Sequence, residues 1–279
     1  MLIYSEVTMK KEFNTRPLTR LARTWAEVIG AEAPALSDKE TVPEILDLVA
    51  QKTENGKVDR MLIYNPDAVG QWVFEKYRSK FADVEKNTDL QVEYITEMPP
   101  KTPVCFATMF SGVHPEVHGI QRYTKPQLTV DTLFDSWVRS GKKVAMVAVA
   151  NQSIPRIFAG RNIDYYLLPY DGEVVEKALE LIALDQYDII EVYNQEYDDS
   201  MHLTHPKSKR ALRALDHYND SYRRLCEAVD EHWGTHDTLV SFSTDHGVHR
   251  AFYGLGQHGS DIPKDRNIVH FYGVKSKKK

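Results

Sequence analysis

Apolar positions along the chain follow two periods that alternate. Between Leu18 and Gly30, the residues Leu18, Leu21, Ala22, Trp25 and Val28 fall on one helical stripe that stops at a glycine. A second helical segment, "VPEILDLVAQK", follows Thr41 as a candidate cap and has Pro43 in its first turn. Beyond residue 58 the pattern changes. Short runs rich in β-branched and aromatic residues (60–68, 91–98, 143–150, 187–193, 237–245 and 267–274) are separated by amphipathic stretches at 70–81, 130–143, 173–184 and 208–233. Strands alternating with helices predict an α/β fold with a mainly parallel central sheet and helices on both faces, a three-layer α/β/α sandwich. On this reading residues 1–57 are a helical lead-in packed on the core, and 58–279 form the domain that carries any chemistry.

Composition narrows the class. A 42% hydrophobic and 27% charged chain is an ordinary globular one. The net charge of -5 gives no overall attraction to nucleic acid or to an anionic membrane. Two cysteines provide no disulfide framework and suit a reducing compartment. The segment "MLIYSEVTMKK" has no apolar core long enough for a signal peptide, and the longest apolar run, 144–150, is far short of a membrane span. The expectation is a cytoplasmic protein with no membrane partner. The basic tail 275–279 reads as a solvated terminus.

Candidate chemistry collects where strands end, the place at which parallel sheets form their sites. Asp67 ends the first strand, Asp198 follows the run "YDIIEVY", and Asp245 ends "TLVSFSTD". A single aspartate at a strand end is commonly a turn former or a helix cap. Asp198 and His202, however, are four residues apart and can face one metal on a single turn. The stretch "TDHGVHRAFYGLGQHGSD" adds three histidines and two aspartates within eighteen residues. Upstream, "KTPVCFATMFSGVHPEVHGI" holds Thr102, then Ser111-Gly112, then Pro115-x-x-His118-Gly119.

Taken in order, these pieces resemble the alkaline phosphatase superfamily, in particular its type I phosphodiesterase/nucleotide pyrophosphatase branch. That family has an Asp at the end of the first core strand and a Thr or Ser nucleophile nine residues before a Ser/Thr-Gly. Pro-x-x-His-Gly, Asp-x-x-x-His, Asp-His-Gly and a last His-Gly follow. Residues 58–274 of this chain hold all of them. The resemblance implies two divalent metal ions, zinc first and manganese or iron as alternatives. Asp198, His202 and His258 would hold one, and Asp67, Asp245, His246 and the Thr102 hydroxyl the other. Carboxylates and imidazoles without thiolate suit those metals, and two ions about 4 Å apart suit an in-line displacement. It further implies that Thr102 attacks phosphorus to give a phosphothreonine, which water then resolves. His118 is implied to shape the chain, while His205 and His249 are read as neighbours of ligands or as solvent-facing.

The expected activity is hydrolysis of a small phosphorylated substrate, mono- or diester. The alternatives are a phosphomutase of the same superfamily or a non-catalytic metal-binding relative. A sulfatase is disfavoured, because "TPVCFA" lacks the Cys/Ser-x-Pro/Ala-x-Arg context. Where phosphodiesterase relatives often place an Asn three residues after the nucleophile, this chain has Cys105. The twelve positions from His246 to His258 leave no room for the large insertion of diesterase relatives, and no large cap fits before Asp198. Arg156 and Arg161 are weak candidates for substrate contacts.

Overall fold

A computed structural model describes residues 12–278. The segment 1–11, read as lacking the apolar core of a signal peptide, and with it the start of the lead-in, lies outside the described residues. The elements run α1 (Arg20–Val28), α2 (Pro43–Lys52), β1 (Arg60–Pro66), α3 (Gln71–Lys76), α4 (Ala82–Lys86), β2 (Leu90–Ile95), α5 (Thr102–Ser111) and α6 (Pro115–His118). They continue with α7 (Leu133–Arg139), β3 (Val144–Val149), α8 (Ser153–Ile157), β4 (Asp164–Leu168), α9 (Asp171–Leu184), β5 (Ile189–Asn194), α10 (Glu196–Leu203) and α11 (Lys209–His232). The last are β6 (Thr238–Phe242), β7 (His249–Arg250), β8 (Gly256–Gln257), α12 (Pro263–Arg266) and β9 (Asn267–Lys275). Val42, not Thr41, caps α2, so its start rests on Pro43 rather than on a side-chain cap.

Seven strands form one sheet in the order β2-β9-β6-β1-β5-β3-β4. Strands β6, β1, β5, β3 and β4 pair in parallel, and β9 runs antiparallel to both its neighbours, β6 and the edge strand β2. Every residue of β1, β3, β5 and β6 is buried, as expected for strands covered on both faces. Their side chains alternate between two apolar cores. Met61, Ile63, Met146 and Ile189 pack towards α1, α2, α5 and α7, while Leu62, Tyr64, Val147 and Ile190 pack towards α3, α9 and α11. This is the three-layer α/β/α sandwich. Three of the strands escape the sequence pattern. β4 is a five-residue edge strand with half-exposed side chains, and β7–β8 is a hairpin of two-residue strands.

Helix α5 occupies the centre of one layer, with all ten residues buried. The lead-in helix α1 packs on it, with Trp25 edge-to-face against Phe110 at 5.7 Å. The Ser111-Gly112 step ends α5: Gly112 adopts φ 73°, and a Cβ there would meet Ser37 Cβ at 2.7 Å and Ala22 Cβ at 2.9 Å. Only glycine satisfies both the backbone turn and the close approach. Next, α6 is tied back by His118. Its Nδ1 accepts from Ile120 N–H (3.2 Å), so its Nε2 carries the proton and donates to Thr108 Oγ1 (3.1 Å). The Pro-x-x-His-Gly segment therefore shapes the chain.

One carboxyl sits deep in the sheet. Glu191 in β5 is fully buried on the α5 side and accepts from Asn65 Nδ2 at 2.8 Å, while its Oε2 has no partner among the described residues. Burial pushes its pKa from 4.5 up to about 8. The folded protein therefore keeps a proton on Glu191 that the unfolded chain releases near pH 4.5. Stability should fall as pH rises through that window, by on the order of 1.4 kcal/mol per pH unit, and level off above it. Glu191→Gln keeps an acceptor for Asn65 and removes the titration. Urea unfolding of both proteins across the window tests this, and parallel stability curves would refute it.

Candidate functional site

The carboxyl ends of β1, β5 and β6 face one crevice, and the N-terminus of α5 points into it. Asp67 follows β1 directly, and its N–H donates to Asn194 O of β5 (2.9 Å). The next residue, Ala68, has φ 70°, a left-handed conformation rare for a residue with a side chain. That turn directs the Ala68 N–H to Asp245 Oδ1 (3.1 Å), while Val69 N–H reaches Thr244 Oγ1 (2.9 Å). The strand ends thus hold each other. Behind Asp245-His246, Gly247 lies against Gly70, where an added Cβ on Gly70 would come within 2.8 Å of Gly247 Cα. The glycine of Asp-His-Gly is needed for this backbone-to-backbone approach.

All seven residues implied as metal ligands meet at this crevice. His246 Nε2 lies 3.2 Å from Asp245 Oδ2 and 3.6 Å from Asp67 Oδ1. On the other side, Asp198 Oδ1 is 3.4 Å from His202 Nε2 and 3.6 Å from His258 Nε2. Asp198 and His202 occupy successive turns of α10, as their spacing predicts. His246 and His258 stack with ring centroids 4.0 Å apart, and His246 stands close enough to both carboxylate groups to belong to either. Thr102 is the first residue of α5, its hydroxyl 3.5 Å from Asp67 Oδ2 and 3.3 Å from His246 Nε2.

The hydrogen bonds around the cluster orient its donor atoms. His202 Nδ1 faces Gly256 O (3.1 Å), His246 Nδ1 faces Gly247 O (3.1 Å) and His258 Nδ1 faces Pro100 O (2.8 Å). A carbonyl only accepts, so each Nδ1 carries the ring proton and each Nε2 presents a lone pair to the crevice. Tyr193 Oη donates to Asp67 Oδ2 at 2.5 Å, which leaves Asp67 Oδ1 free. Asp67 Oδ1, Asp198 Oδ1 and Asp245 Oδ2 are buried without a hydrogen-bond partner. Such oxygens are costly unless a cation or proton meets them.

Electrostatics agree. Burial, then neighbouring carboxylates, raise the Asp67, Asp198 and Asp245 carboxyls well above the usual range. Burial lowers His202, brings His246 down to about 3 and holds His258 well below its ordinary value. Three repelling carboxylates beside three neutral imidazoles form a donor set that fits divalent cations.

A cleft of about 300 Å³ opens over the cluster, walled by Lys101, Tyr123, Gln152, Ser153, Gln195 and Asp199. Lys101, which precedes Thr102, is the one lysine or arginine on this wall among the described residues, and its Nζ donates to His258 O (2.8 Å). Sequence reading passed over it because a lysine beside a helix start is ordinary. Cys105 is fully buried on α5, 2.9 Å from the Thr96 hydroxyl, and does not line the cleft. Arg156 is exposed on α8. Arg161 is held by Asp135 (2.6 Å), Leu128 O and Val130 O. Neither arginine lines the cleft. His249 pairs with the buried Asp265 (2.8 Å) and braces the loop, and His205 Nδ1 accepts from Lys207 N–H in a turn.

No family model and no curated protein matches this sequence. Solved structures do match. Human ectonucleotide pyrophosphatase/phosphodiesterase 5 superposes with a TM-score of 0.61 at 11% identity, over 79% of this chain and 90% of that one. The murine protein of the same name gives 0.54 at 18% identity, covering 69% of this chain and 58% of its own. An inactive variant of the murine protein in complex with AMP gives 0.55 at 16% identity, with the same coverage. At these identities the likeness is one of fold: this chain shares the fold of those ectonucleotide pyrophosphatase/phosphodiesterase structures.

Proposed function

We propose that this protein is a metal-dependent hydrolase of small phosphoesters with Thr102 as its nucleophile. The observation that carries the reading is the convergence of three carboxylates, each with a buried oxygen unpartnered among the described residues, and three Nε2 atoms around the first hydroxyl of a buried helix. Asp67, Asp245, His246 and Thr102 would hold one divalent ion and Asp198, His202 and His258 the other, with zinc the best match to the donors. When bound, the ions would supply Lewis-acid charge that lowers the pKa of the nucleophile and screens developing negative charge on oxygen.

The chain's own residues then have definite tasks. Thr102 Oγ1 lies at the positive end of α5, whose dipole favours negative charge there. The Thr102 proton faces Asp67 Oδ2 and His246 Nε2, which are its nearest acceptors. Attack of Thr102 on phosphorus breaks one P–O ester bond, forms a phosphothreonine and releases one substrate alcohol; water then cleaves the threonine–phosphorus ester and frees phosphate from a monoester or a phosphomonoester from a diester. Lys101 offers its ammonium to the phosphoryl oxygens, on the wall where Cys105 is out of reach. Gln152, Gln195 and Asp199 are shared with an adjoining hollow of about 500 Å³ that would receive the leaving group. The AMP bound by the murine neighbour is a phosphomonoester compatible with such a cleft. A cytoplasmic setting belongs to the same proposal, supported by two free buried cysteines.

The test compares turnover of an aryl phosphate monoester with that of its bis-aryl diester by zinc- or manganese-loaded protein. Diester preference is expected from the fold relationship. Monoester preference would make the enzyme a phosphatase, and turnover of neither would overturn the hydrolase reading.

A further inference from the structure

Beside the cleft stands a feature the reaction does not use. The β7–β8 hairpin turns through residues 251–255 and exposes its apolar side chains: Phe252 is 101% exposed, Tyr253 53% and Leu255 43%. Phe252 and Tyr253 meet edge to face at 5.3 Å, so the tip carries a paired aromatic surface. Leu203, at the end of α10, is a further 63% exposed. This element is joined to the hairpin through His202 Nδ1 and Gly256 O.

Cations gather at the base of the hairpin. Trp72 Nε1 donates to Val248 O, just before β7. Lys207 Nζ and Lys264 Nζ lie 5.6 and 5.9 Å from the Trp72 ring centroid. Arg250 is in β7, where its Nε donates to Gly254 O (2.8 Å), and Lys76 is one turn beyond Trp72 on α3. Among the described residues no ion pair joins any of these four to a carboxylate. They also feel one another: burial, then Lys76, Lys264 and Arg250, hold the Lys207 ammonium below its ordinary value. In a chain of net charge -5 this is a local reversal of sign.

We propose that the β7–β8 hairpin and the cations at its base form a docking surface for an anionic lipid membrane. Phe252, Tyr253, Leu255 and Leu203 enter the headgroup layer, and Lys76, Lys207, Arg250 and Lys264 face the lipid charge. A convex apolar tip suits a fluid interface that deforms around it, and aromatic side chains favour that depth. Two leucines beside the ring pair have no counterpart to meet on a nucleic acid. Unpaired lysines and arginines are attracted to the negative surface potential of a cytoplasmic leaflet. Because His202 and His258 adjoin the hairpin, docking would set the cleft at the lipid surface. The inference stands whether or not the reaction assigned above is correct.

Sedimentation of the full chain with vesicles tests it, comparing phosphatidylcholine alone with phosphatidylcholine containing phosphatidylserine at low and high salt. The protein should partition onto the anionic vesicles and be released by salt. Lys207→Gln with Lys264→Gln should weaken partitioning about fivefold for each cation removed, and Phe252→Ser roughly tenfold. Unchanged thermal unfolding and metal content would show that the variants fold. No partitioning of the unaltered protein, or equal partitioning of the variants, would overturn the proposal. A Phe252-dependent dimer in sedimentation velocity without vesicle binding would overturn it too, by assigning the face to a second copy.

Discussion

Thr102→Ala should lower turnover of a bis-aryl phosphodiester by roughly 10⁴-fold or more while metal content stays near that of the unaltered protein. The hydroxyl is the group that bonds to phosphorus, so its loss removes the covalent route instead of weakening it. The six remaining donors come from other elements: Asp67 after β1, Asp198 and His202 on α10, and Asp245, His246 and His258 on the loop before α12. Helix α5 is held by its buried apolar side chains and by Gly112, none of which the substitution touches. Elemental analysis and single-turnover kinetics check both halves. Thr102→Ser should recover part of the rate. If Thr102→Ala retains turnover, the nucleophile lies elsewhere.

The second large effect is on the cluster itself. Asp245 is fully buried; its Oδ1 accepts from Ala68 N–H, and its Oδ2 has no protein partner. Asp245→Asn keeps the shape and an acceptor for Ala68 but removes the charge a cation would meet. Chelated wild-type protein should therefore melt below chelated Asp245→Asn, because three clustered carboxylates repel in one and two in the other. Adding zinc should reverse the order. At a hundredfold excess over Kd, binding stabilises the wild type by about 2.7 kcal/mol, a rise of roughly 5–10 °C for a domain of this size. The variant should gain little and bind less metal. Equal zinc-dependent shifts in the two proteins would count against Asp245 as a ligand.

How much of this was legible before folding differs from residue to residue. Strands β1, β3, β5 and β6 were readable because both their faces are buried, which demands continuous apolar runs. The strand β4 was not, since an edge strand of sequence DYYLL is only partly covered, and five residues without an apolar/polar alternation show no period. The Asp198–His202 spacing allowed a shared metal, because four residues on α10 return to the same face, but by itself it read as well as a hydrophilic loop with an incidental histidine. Asp67, Thr102, Asp245 and His258 are far apart in sequence, and their order alone suggested a common site.

The sequence by itself determined the long helices and the buried central strands, since periodicity and turn residues act over a few positions. It also determined which side chains are available to bind metal, since that depends on residue type. Only the tertiary structure decided that His246 stands between two carboxylate groups, that three backbone carbonyls turn three Nε2 atoms inward, and that Tyr193 steadies Asp67. It likewise gathered Lys76, Lys207, Arg250 and Lys264 from four segments into one patch that net charge conceals. Hydrogen-bond direction, burial and charge density depend on neighbours brought together from across the chain, and those neighbours exist only once it has folded.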